Sequence, residues 1–224
     1  MTGLIITIDG PAGAGKGTMA RRLAQQLGLA YLDTGTVYRA TALTVLNQGG
    51  DPADEAAALA AAQNLDFTFQ PIGGGDYHGF MNGQDVEADL RRHEVSNGAG
   101  AVAAILPVRD ALRDFQRQFA QTARQGAGAV LDGRDCGTVI CPDADVKFFL
   151  TADPMVRAKR RVAQLAEAGK QADLEQIHRD IVARDTSDAV NMKPAPDAIH
   201  VDTTSMTPAE VFQTLLDTVT NRPA

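Results

Sequence analysis

The sequence has no long hydrophobic segment and no excess of basic charge. No apolar run approaches the ~18 residues of a membrane-spanning helix, and residues 1–9 lack the pattern of a signal peptide. The formal net charge is −7, so the chain has no general electrostatic affinity for nucleic acid or anionic membranes. We expect a cytoplasmic protein with no nucleic-acid or membrane partner, in which clustered arginines hold any bound anion.

Cysteine and aromatic residues are also scarce. The two cysteines, Cys136 and Cys141, form neither a disulfide framework nor a CxxC motif, and the four histidines are scattered along the chain. The sequence therefore predicts no metal site built from Cys and His. Aromatic residues make up only 5% of the chain, which leaves no obvious surface for self-association.

Apolar segments rich in β-branched residues alternate with helical patterns along most of the chain. We predict strands at 4–8, 30–32, 129–131, 146–150 and 199–201, and a helix at 18–27 that ends before Gly28. A strand, a helix and a second strand in succession indicate a parallel sheet. The 224 residues, 44% of them hydrophobic, fit one α/β domain with a substantial core.

Two segments interrupt this alternation. Predicted strands at 65–69 and 77–81, around a glycine loop at 73–75 and followed by an Asn82-Gly83 turn, indicate a small antiparallel insertion. The arginine-rich stretch 157–184 is polar on most faces and interrupted at Gly169, so we interpret it as a mobile helical lid. We expect one domain over 1–224, with its core at about 1–50, 94–152 and 195–224, the insertion at about 51–93 and the lid at about 153–194.

The segment Gly10-Pro-Ala-Gly-Ala-Gly-Lys-Gly-Thr18 lies between the first predicted strand and helix. This is the context of a P-loop, in which backbone N–H groups surround phosphates and the lysine reaches the β and γ oxygens. An ordinary glycine-rich turn is the alternative. A dinucleotide-binding motif starting at Gly13 would require glycine at Thr18, so its spacing fails. We predict that ATP is bound by these residues: Gly10, Pro11, Ala12, Gly13, Ala14, Gly15, Lys16, Gly17 and Thr18.

Further motifs follow in order along the chain. They are Tyr31-Leu-Asp-Thr-Gly-Thr-Val-Tyr-Arg39, Asn82-Gly-Gln-Asp-Val86, Glu94-Val-Ser96, Val108-Arg109 and Leu131-Asp-Gly-Arg-Asp-Cys-Gly-Thr-Val139. Together with the Gly-Lys-Gly-Thr ending of the P-loop, they resemble the bacterial cytidylate kinase family over almost the whole chain. The resemblance implies a three-layer P-loop fold with a central parallel sheet, an inserted nucleoside-monophosphate-binding subdomain and a lid. It also implies a monomer that transfers the γ-phosphoryl group of ATP to CMP or dCMP with Mg²⁺.

The resemblance assigns acceptor roles to several residues. Arg39 and Arg134 would grip the acceptor phosphate, a task that suits the planar guanidinium fork. Asp135 and Arg109 would read cytosine, because a carboxylate accepts from its exocyclic amino group and repels the oxygen of uracil. Contacts near the sugar are implied for Thr34, Arg184 and Asp188. Surface ion pairs for the arginines, a loop cap for Asp135 and a solvated helix end for Asp188 stay open as alternatives.

The attacking phosphate oxygen is already largely ionised near neutral pH, so catalysis needs position and positive charge rather than a general base. We expect Lys16 and Arg134 to supply charge, and Asp132, at a strand end, to order Mg²⁺ or its waters together with Thr18. Arg157, Arg160 and Arg161 lie on the predicted lid, and we place Arg157 at the ATP site. A solvated basic helix face is the alternative for these three.

The chain departs from the family pattern at two places. Gly100 stands where the family usually has a serine that helps to read the base. After Asp188 the chain is shorter by about four residues and lacks an arginine that would bind the acceptor phosphate, and Lys193 supplies only a point charge instead of a bidentate fork. We therefore expect weaker acceptor binding or slower turnover, which steady-state kinetics on a chain with the segment restored would test.

Two rival functions remain. A nucleotide-dependent switch would also use a P-loop, but the sequence has no Asn-Lys-x-Asp guanine motif and a switch has no use for a second anion site. A kinase of the same fold could instead act on UMP, AMP, shikimate or a sugar. Asp135 and Arg109 weigh against UMP and non-nucleotides, whereas Gly100 leaves some room for another acceptor.

Overall fold

The computed structural model describes residues 3–73, 76–167, 169–190 and 192–222. The strands are β1 (Leu4–Asp9), β2 (Ala30–Asp33), β3 (Phe67–Gly73), β4 (Asp76–Met81), β5 (Gln84–Asp85), β6 (Gly128–Gly133), β7 (Val146–Thr151) and β8 (Ile199–Asp202). The helices are α1 (Lys16–Leu27), α2 (Thr34–Asn47), α3 (Glu55–Gln63), α4 (Glu87–Leu90), α5 (His93–Ala104), α6 (Leu106–Arg124), α7 (Pro154–Glu167), α8 (Leu174–Asp188) and α9 (Pro208–Thr220). A π-helical turn spans Cys136–Ile140.

Five of these strands form the central sheet in the order β2-β6-β1-β7-β8, and every pair is parallel. The predicted parallel sheet is therefore confirmed, with β6 three residues longer than expected and each of the other four strands one residue longer. In the register, Asp9 at the end of β1 lies opposite Gly133 on β6 and Phe149 on β7. The carboxyl ends of β1, β2 and β6 consequently meet at one edge, where the P-loop, α2 and the segment 134–135 begin.

Both faces of the sheet are covered by helices, because alternate side chains of each strand point to opposite faces. Ile6, Ile8 and Phe148 pack with α1 and α9 on one face. On the other face, Ile5 and Leu131 pack with residues of α2, α3 and α6. This gives the three-layer α/β architecture that the resemblance implies, around the parallel sheet that the alternating pattern predicts. Among the described residues, no helix has the length and apolar character needed to cross a membrane.

The insertion forms a separate antiparallel sheet in the order β3-β4-β5. Asn82 and Gly83 have φ angles of 49° and 75°, which the predicted turn between β4 and β5 requires. The first strand begins at Phe67 rather than at Leu65, because α3 continues to Gln63 and the next residues connect this helix to β3. Within the predicted glycine loop, residues 74 and 75 lie outside the described part of the chain.

The arginine-rich stretch forms two helices, α7 and α8, with Gly169 between them in the left-handed region at φ 71°. The carboxylate of Asp153 accepts hydrogen bonds from the backbone N–H groups of Met155 and Val156, so it caps the start of α7. Arg157 and Ala158 on α7 are buried, whereas none of the described side chains of α8 is buried. The two helices therefore differ: α7 has two buried side chains, whereas α8 has none among its described residues.

Candidate active site

The P-loop has the backbone geometry that phosphate binding requires. Gly10, Gly13 and Gly15 have φ angles of 137°, 80° and 93°, and a Cβ atom on Gly10 would lie 2.0 Å from the carbonyl oxygen of Leu150. Only glycine adopts such angles at little cost. Helix α1 begins at Lys16, and within the described residues no side chain caps its first turn. The free N–H groups and the positive end of the helix dipole make this an anion site.

Lys16 lies buried beside the loop, with 7% of its surface exposed. Its Nζ atom donates to the carbonyl oxygen of Pro11 at 3.0 Å. Burial and then the positive charge of Arg134 lower the pKa of Lys16 to about 8, while Asp132 and nearby carboxylates oppose this shift. A bound polyanion would compensate both effects, so the site favours a phosphate next to this ammonium group.

Asp132, at the end of β6, lies beside the beginning of α1. Its Oδ1 atom accepts a hydrogen bond from the Tyr31 hydroxyl at 3.0 Å. A Cβ atom on Gly17 would lie 3.4 Å from Oδ2, so this second oxygen faces the beginning of α1. Burial and then the charge of Asp33 raise the pKa of Asp132 to about 7, against the influence of Lys16. A cation here would therefore favour the ionised carboxylate.

The oxygen atoms near the P-loop fit a hard cation such as Mg²⁺. Oδ2 of Asp132 faces the helix start, and Thr18 is exposed in the first turn of α1. Mg²⁺ typically keeps several waters and binds through one or two carboxylates and substrate phosphates. In the part of the chain that the structure describes, there is no group of three or more His, Cys, Asp or Glu side chains that could hold a metal ion by itself.

Asp9 connects the P-loop to the neighbouring loop that carries Arg134 and Asp135. Its carboxylate accepts hydrogen bonds from the backbone N–H groups of Cys136, at 2.9 Å, and Gly137, at 2.7 Å. Burial raises the pKa of Asp9, against these two hydrogen bonds. Sequence reasoning missed Asp9 as a functional residue, although its place directly before Gly10 at a strand end was a usable signal.

Arg134 and Asp188 form a partly buried ion pair, with the Arg134 Nε atom 2.8 Å from Oδ2 of Asp188. The Nε atom of Arg184 is 3.7 Å from the same oxygen. Asp188 is therefore not a solvated helix end, because two guanidinium groups face it. Thr34 lies nearby and donates its hydroxyl proton to the carbonyl oxygen of Asp132 at 2.8 Å. The structure thus brings together four of the residues expected at the acceptor site.

Arg109 and Asp135 form a looser pair at 4.0 Å, and Arg109 also donates to the carbonyl oxygen of Ala103 at 3.4 Å. Burial and then the charge of Asp9 raise the pKa of Asp135, while Arg109 lowers it. A Cβ atom on Gly100 would have no heavy atom within 4 Å. Arg39 on α2 is half-buried, and among the described residues its guanidinium has no hydrogen-bond or ion-pair partner.

Arg157 is 2% exposed and lies against the P-loop. Its guanidinium donates to the carbonyl oxygen of Ala12 at 3.0 Å and pairs with both carboxylate oxygens of Asp185, at 3.0 and 2.5 Å. Arg160 donates to the hydroxyl of Thr203 at 3.0 Å. These two arginines therefore do not form a solvated basic face, whereas Arg161 is exposed. Lys193 is exposed as well, and residue 191 in the shortened segment lies outside the described residues.

Comparisons with known proteins place this geometry in context. A family model described as cytidylate kinase matches residues 6–221. A cytidylate kinase of Methylocella silvestris is 46% identical over 95% of this chain and 92% of its own length. One from Rhodospirillum rubrum is 45% identical over 98% of both chains. A solved protein from Thermus thermophilus, 17% identical, aligns over 99% of this chain and 98% of its own with a TM-score of 0.51, which shows the fold alone.

Proposed function

This chain belongs to the cytidylate kinase family, and we propose that it transfers the γ-phosphoryl group of ATP to CMP or dCMP between the P-loop and the Arg134 loop. The products are ADP and CDP or dCDP. The observation that carries this proposal is the convergence of two cationic sites. Asp9, directly before the P-loop, lies opposite Gly133 and accepts hydrogen bonds from the backbone N–H groups of Cys136 and Gly137, so the loop that carries Arg134 lies beside the loop that carries Lys16. Two such sites suit two phosphate groups that react with each other.

The reaction needs an ionised phosphate oxygen of the acceptor in line with the γ-phosphorus of ATP. That oxygen is already largely ionised near neutral pH, so no residue has to remove a proton. Lys16 neutralises charge on the transferring group and Arg134 holds the attacking phosphate. The free N–H groups at the start of α1 hold the donor phosphates without rearrangement, because the loop already has the required backbone angles.

Mg²⁺ is the proposed metal, and its place is near Thr18 and Asp132. These residues would hold it mainly through water and the phosphates of ATP. When bound, the ion neutralises the charge that develops on the β and γ oxygens. Asp132 contributes an oxygen oriented toward the beginning of α1.

Acceptor binding is proposed to use the second set of residues. Arg39, whose guanidinium makes no hydrogen bond or ion pair within the described residues, and Arg134 grip the phosphate. Asp135 accepts from the amino group of cytosine, with Arg109 beside it. Thr34, Arg184 and Asp188 lie around the sugar. Because Arg134 is paired with Asp188, the acceptor phosphate has to displace the Asp188 carboxylate from Arg134 or bind to Arg134 beside it.

The organisation of the chain completes the proposal. The insertion (about 51–93) is the acceptor-binding subdomain, and α7 and α8 belong to a lid (about 153–194) that closes over the reacting groups. Arg157 contributes to the ATP site through Ala12 of the P-loop. We also propose that the protein acts as a monomer in the cytoplasm. Weaker acceptor binding than in its relatives follows from Gly100 and from the short segment after Asp188.

An acceptor screen tests the proposed function. Purified protein with ATP and Mg²⁺ is assayed for ADP release with CMP, dCMP, UMP, AMP and shikimate. CMP and dCMP are expected to give the highest kcat/KM, and product analysis should show one CDP or dCDP for each ADP. A different best acceptor would contradict the proposal, and ATP hydrolysis without a phosphorylated acceptor would favour a nucleotide-dependent switch.

A further inference from the structure

Tyr31 on β2 makes a buried hydrogen bond to the end of a neighbouring strand. Its side chain is 2% exposed, and its hydroxyl donates to Oδ1 of Asp132 at 3.0 Å. The two residues are brought together because β2 and β6 are adjacent and parallel, with Tyr31 opposite Val130 in the register. A buried hydroxyl and carboxylate that pair with each other are held rigidly, because neither has water as an alternative partner.

This hydrogen bond determines how the two oxygens of Asp132 are used. Oδ1 is engaged by Tyr31, whereas Oδ2 lies 3.4 Å from the place of a Cβ atom on Gly17. Gly17 separates Lys16 from Thr18, so Oδ2 is directed at the part of α1 that holds the donor phosphates. A side chain at residue 17 would occupy the space between α1 and this oxygen. Glycine in the Gly-Lys-Gly-Thr ending therefore leaves that space open.

The ring of Tyr31 is held by the insertion. The ring centroids of Phe69 on β3 and Tyr77 on β4 lie 5.3 and 5.1 Å from the Tyr31 centroid, in tilted arrangements that are favourable for aromatic pairs. Replacing the hydroxyl alone would leave these contacts in place. The hydroxyl of Tyr77 makes no hydrogen bond within the described residues, so it offers a matched comparison.

We propose that Tyr31 is a positioning residue that fixes Asp132 so that one carboxylate oxygen faces the Mg²⁺–phosphate site. The ring of Tyr31 is itself held in place by Phe69 and Tyr77 of the insertion. This inference rests on the proposed function and deepens it. Partners that orient a residue near a metal typically change metal affinity or activity by about 10-fold to 100-fold when they are removed. Because Tyr31 is buried and its hydroxyl is bonded to Asp132, its effect passes through that carboxylate.

The test is Tyr31→Phe beside Tyr77→Phe, each removing one hydroxyl and keeping its ring. For Tyr31→Phe we expect kcat to fall about 10-fold and the Mg²⁺ concentration for half-maximal rate to rise several-fold. KM for CMP should change less than about 2-fold, because the acceptor residues are untouched. A second readout is the dissociation constant of ATP by calorimetry, which should weaken with Mg²⁺ present and stay unchanged in EDTA.

Several results would overturn the inference. One is an unchanged Mg²⁺ dependence in Tyr31→Phe, and another is an equal loss in Tyr77→Phe. A rise of the ATP dissociation constant in EDTA would also contradict it, because it would show general damage to the P-loop. The wild-type protein is assayed with CMP in the same series, so failure of the proposed function would appear there and not only in the variant.

Discussion

The proposed donor and acceptor halves of the site are built in different ways. On the donor side, Asp9, Lys16 and Asp132 are between 5% and 7% exposed, and backbone groups and Tyr31 satisfy them. On the acceptor side, the Arg134–Asp188 pair is about a quarter exposed and bound through charge. The proposed donor half is therefore already formed by the fold, whereas the proposed acceptor half consists of ion pairs that a substrate would have to break or share.

The position of each half in the fold explains this difference. Asp9 and Asp132 lie at the ends of the adjacent parallel strands β1 and β6, and Lys16 begins the helix that follows the P-loop. Acceptor residues come from α2, α6, α8 and the loop after β6, so side chains from separate elements have to meet. Changes to the donor side should consequently abolish the chemistry, and changes to the acceptor side should alter affinity and selectivity.

The largest expected effect is that of Lys16→Met. Loss of one buried group that stabilises developing charge costs about 10²-fold to 10³-fold in rate, so we expect kcat to fall about 1,000-fold. Steady-state ADP release with CMP measures this. Lys147→Met is the matched control, because Lys147 is also buried but pairs with Asp197, outside the proposed site. A similar loss in both variants would contradict a catalytic role for Lys16.

A smaller effect is expected for Asp135→Asn on the acceptor side. The amide can present its N–H to the oxygen of uracil. The ratio of kcat/KM for CMP to kcat/KM for UMP should therefore fall about 30-fold, which lies within the range of discrimination that one good base contact provides. Competition between the two acceptors measures the ratio directly. Asp110→Asn, an exposed position on α6, serves as control. An unchanged ratio in Asp135→Asn would show that other groups read the base.

The contrast also explains how much could be predicted from the sequence. The P-loop is local: its glycines, Lys16 and the flanking elements follow one another, so motif and structure agree. The parallel sheet followed from the alternation of strand and helix patterns. The pairing of Arg134 with Asp188 and of Tyr31 with Asp132 joins residues far apart in the chain, and depends on strand order and helix docking. Periodicity contains no information about such contacts.

Arg157 shows the same limit. The sequence predicts a polar lid helix, but the structure buries this arginine between Ala12 of the P-loop and Asp185 of α8. A guanidinium group can be buried only when several acceptors satisfy it. For Arg157 these acceptors come from Ala12, far before it in the chain, and from Asp185, after it.

The donor side also predicts a pH dependence of stability. The folded-state pKa of Asp132 is raised to about 7, above its ordinary value of 3.8. The folded state therefore binds a proton on Asp132 more tightly than the unfolded state does. This proton stabilises the fold at low pH, and the free energy of unfolding falls as pH rises from 3.8 toward about 7. One proton gives at most about 1.4 kcal/mol per pH unit, which is tenfold in the unfolding constant.

Asp132→Asn should remove this part of the slope. Urea unfolding without nucleotide, between about pH 5 and about pH 8, measures the difference between wild type and variant. The stability advantage of wild type over Asp132→Asn should shrink from pH 5 toward pH 7. Asp114→Asn, at an exposed position on α6, should run parallel to wild type. Parallel curves for Asp132→Asn would show that the buried carboxylate does not titrate in this range.

The smallest expected effect concerns the shortened segment after Asp188. An insertion of about four residues there, including one arginine, should lower KM for CMP about 5-fold, because a bidentate fork binds phosphate better than the exposed Lys193. The matched control carries glutamine in place of the inserted arginine. KM for ATP should stay the same in both, because the P-loop is formed by β1 and α1. If neither KM for CMP nor kcat responds to the arginine, the acceptor half is already complete without it. If KM for ATP changes as well, the two halves are not as independent as their construction indicates.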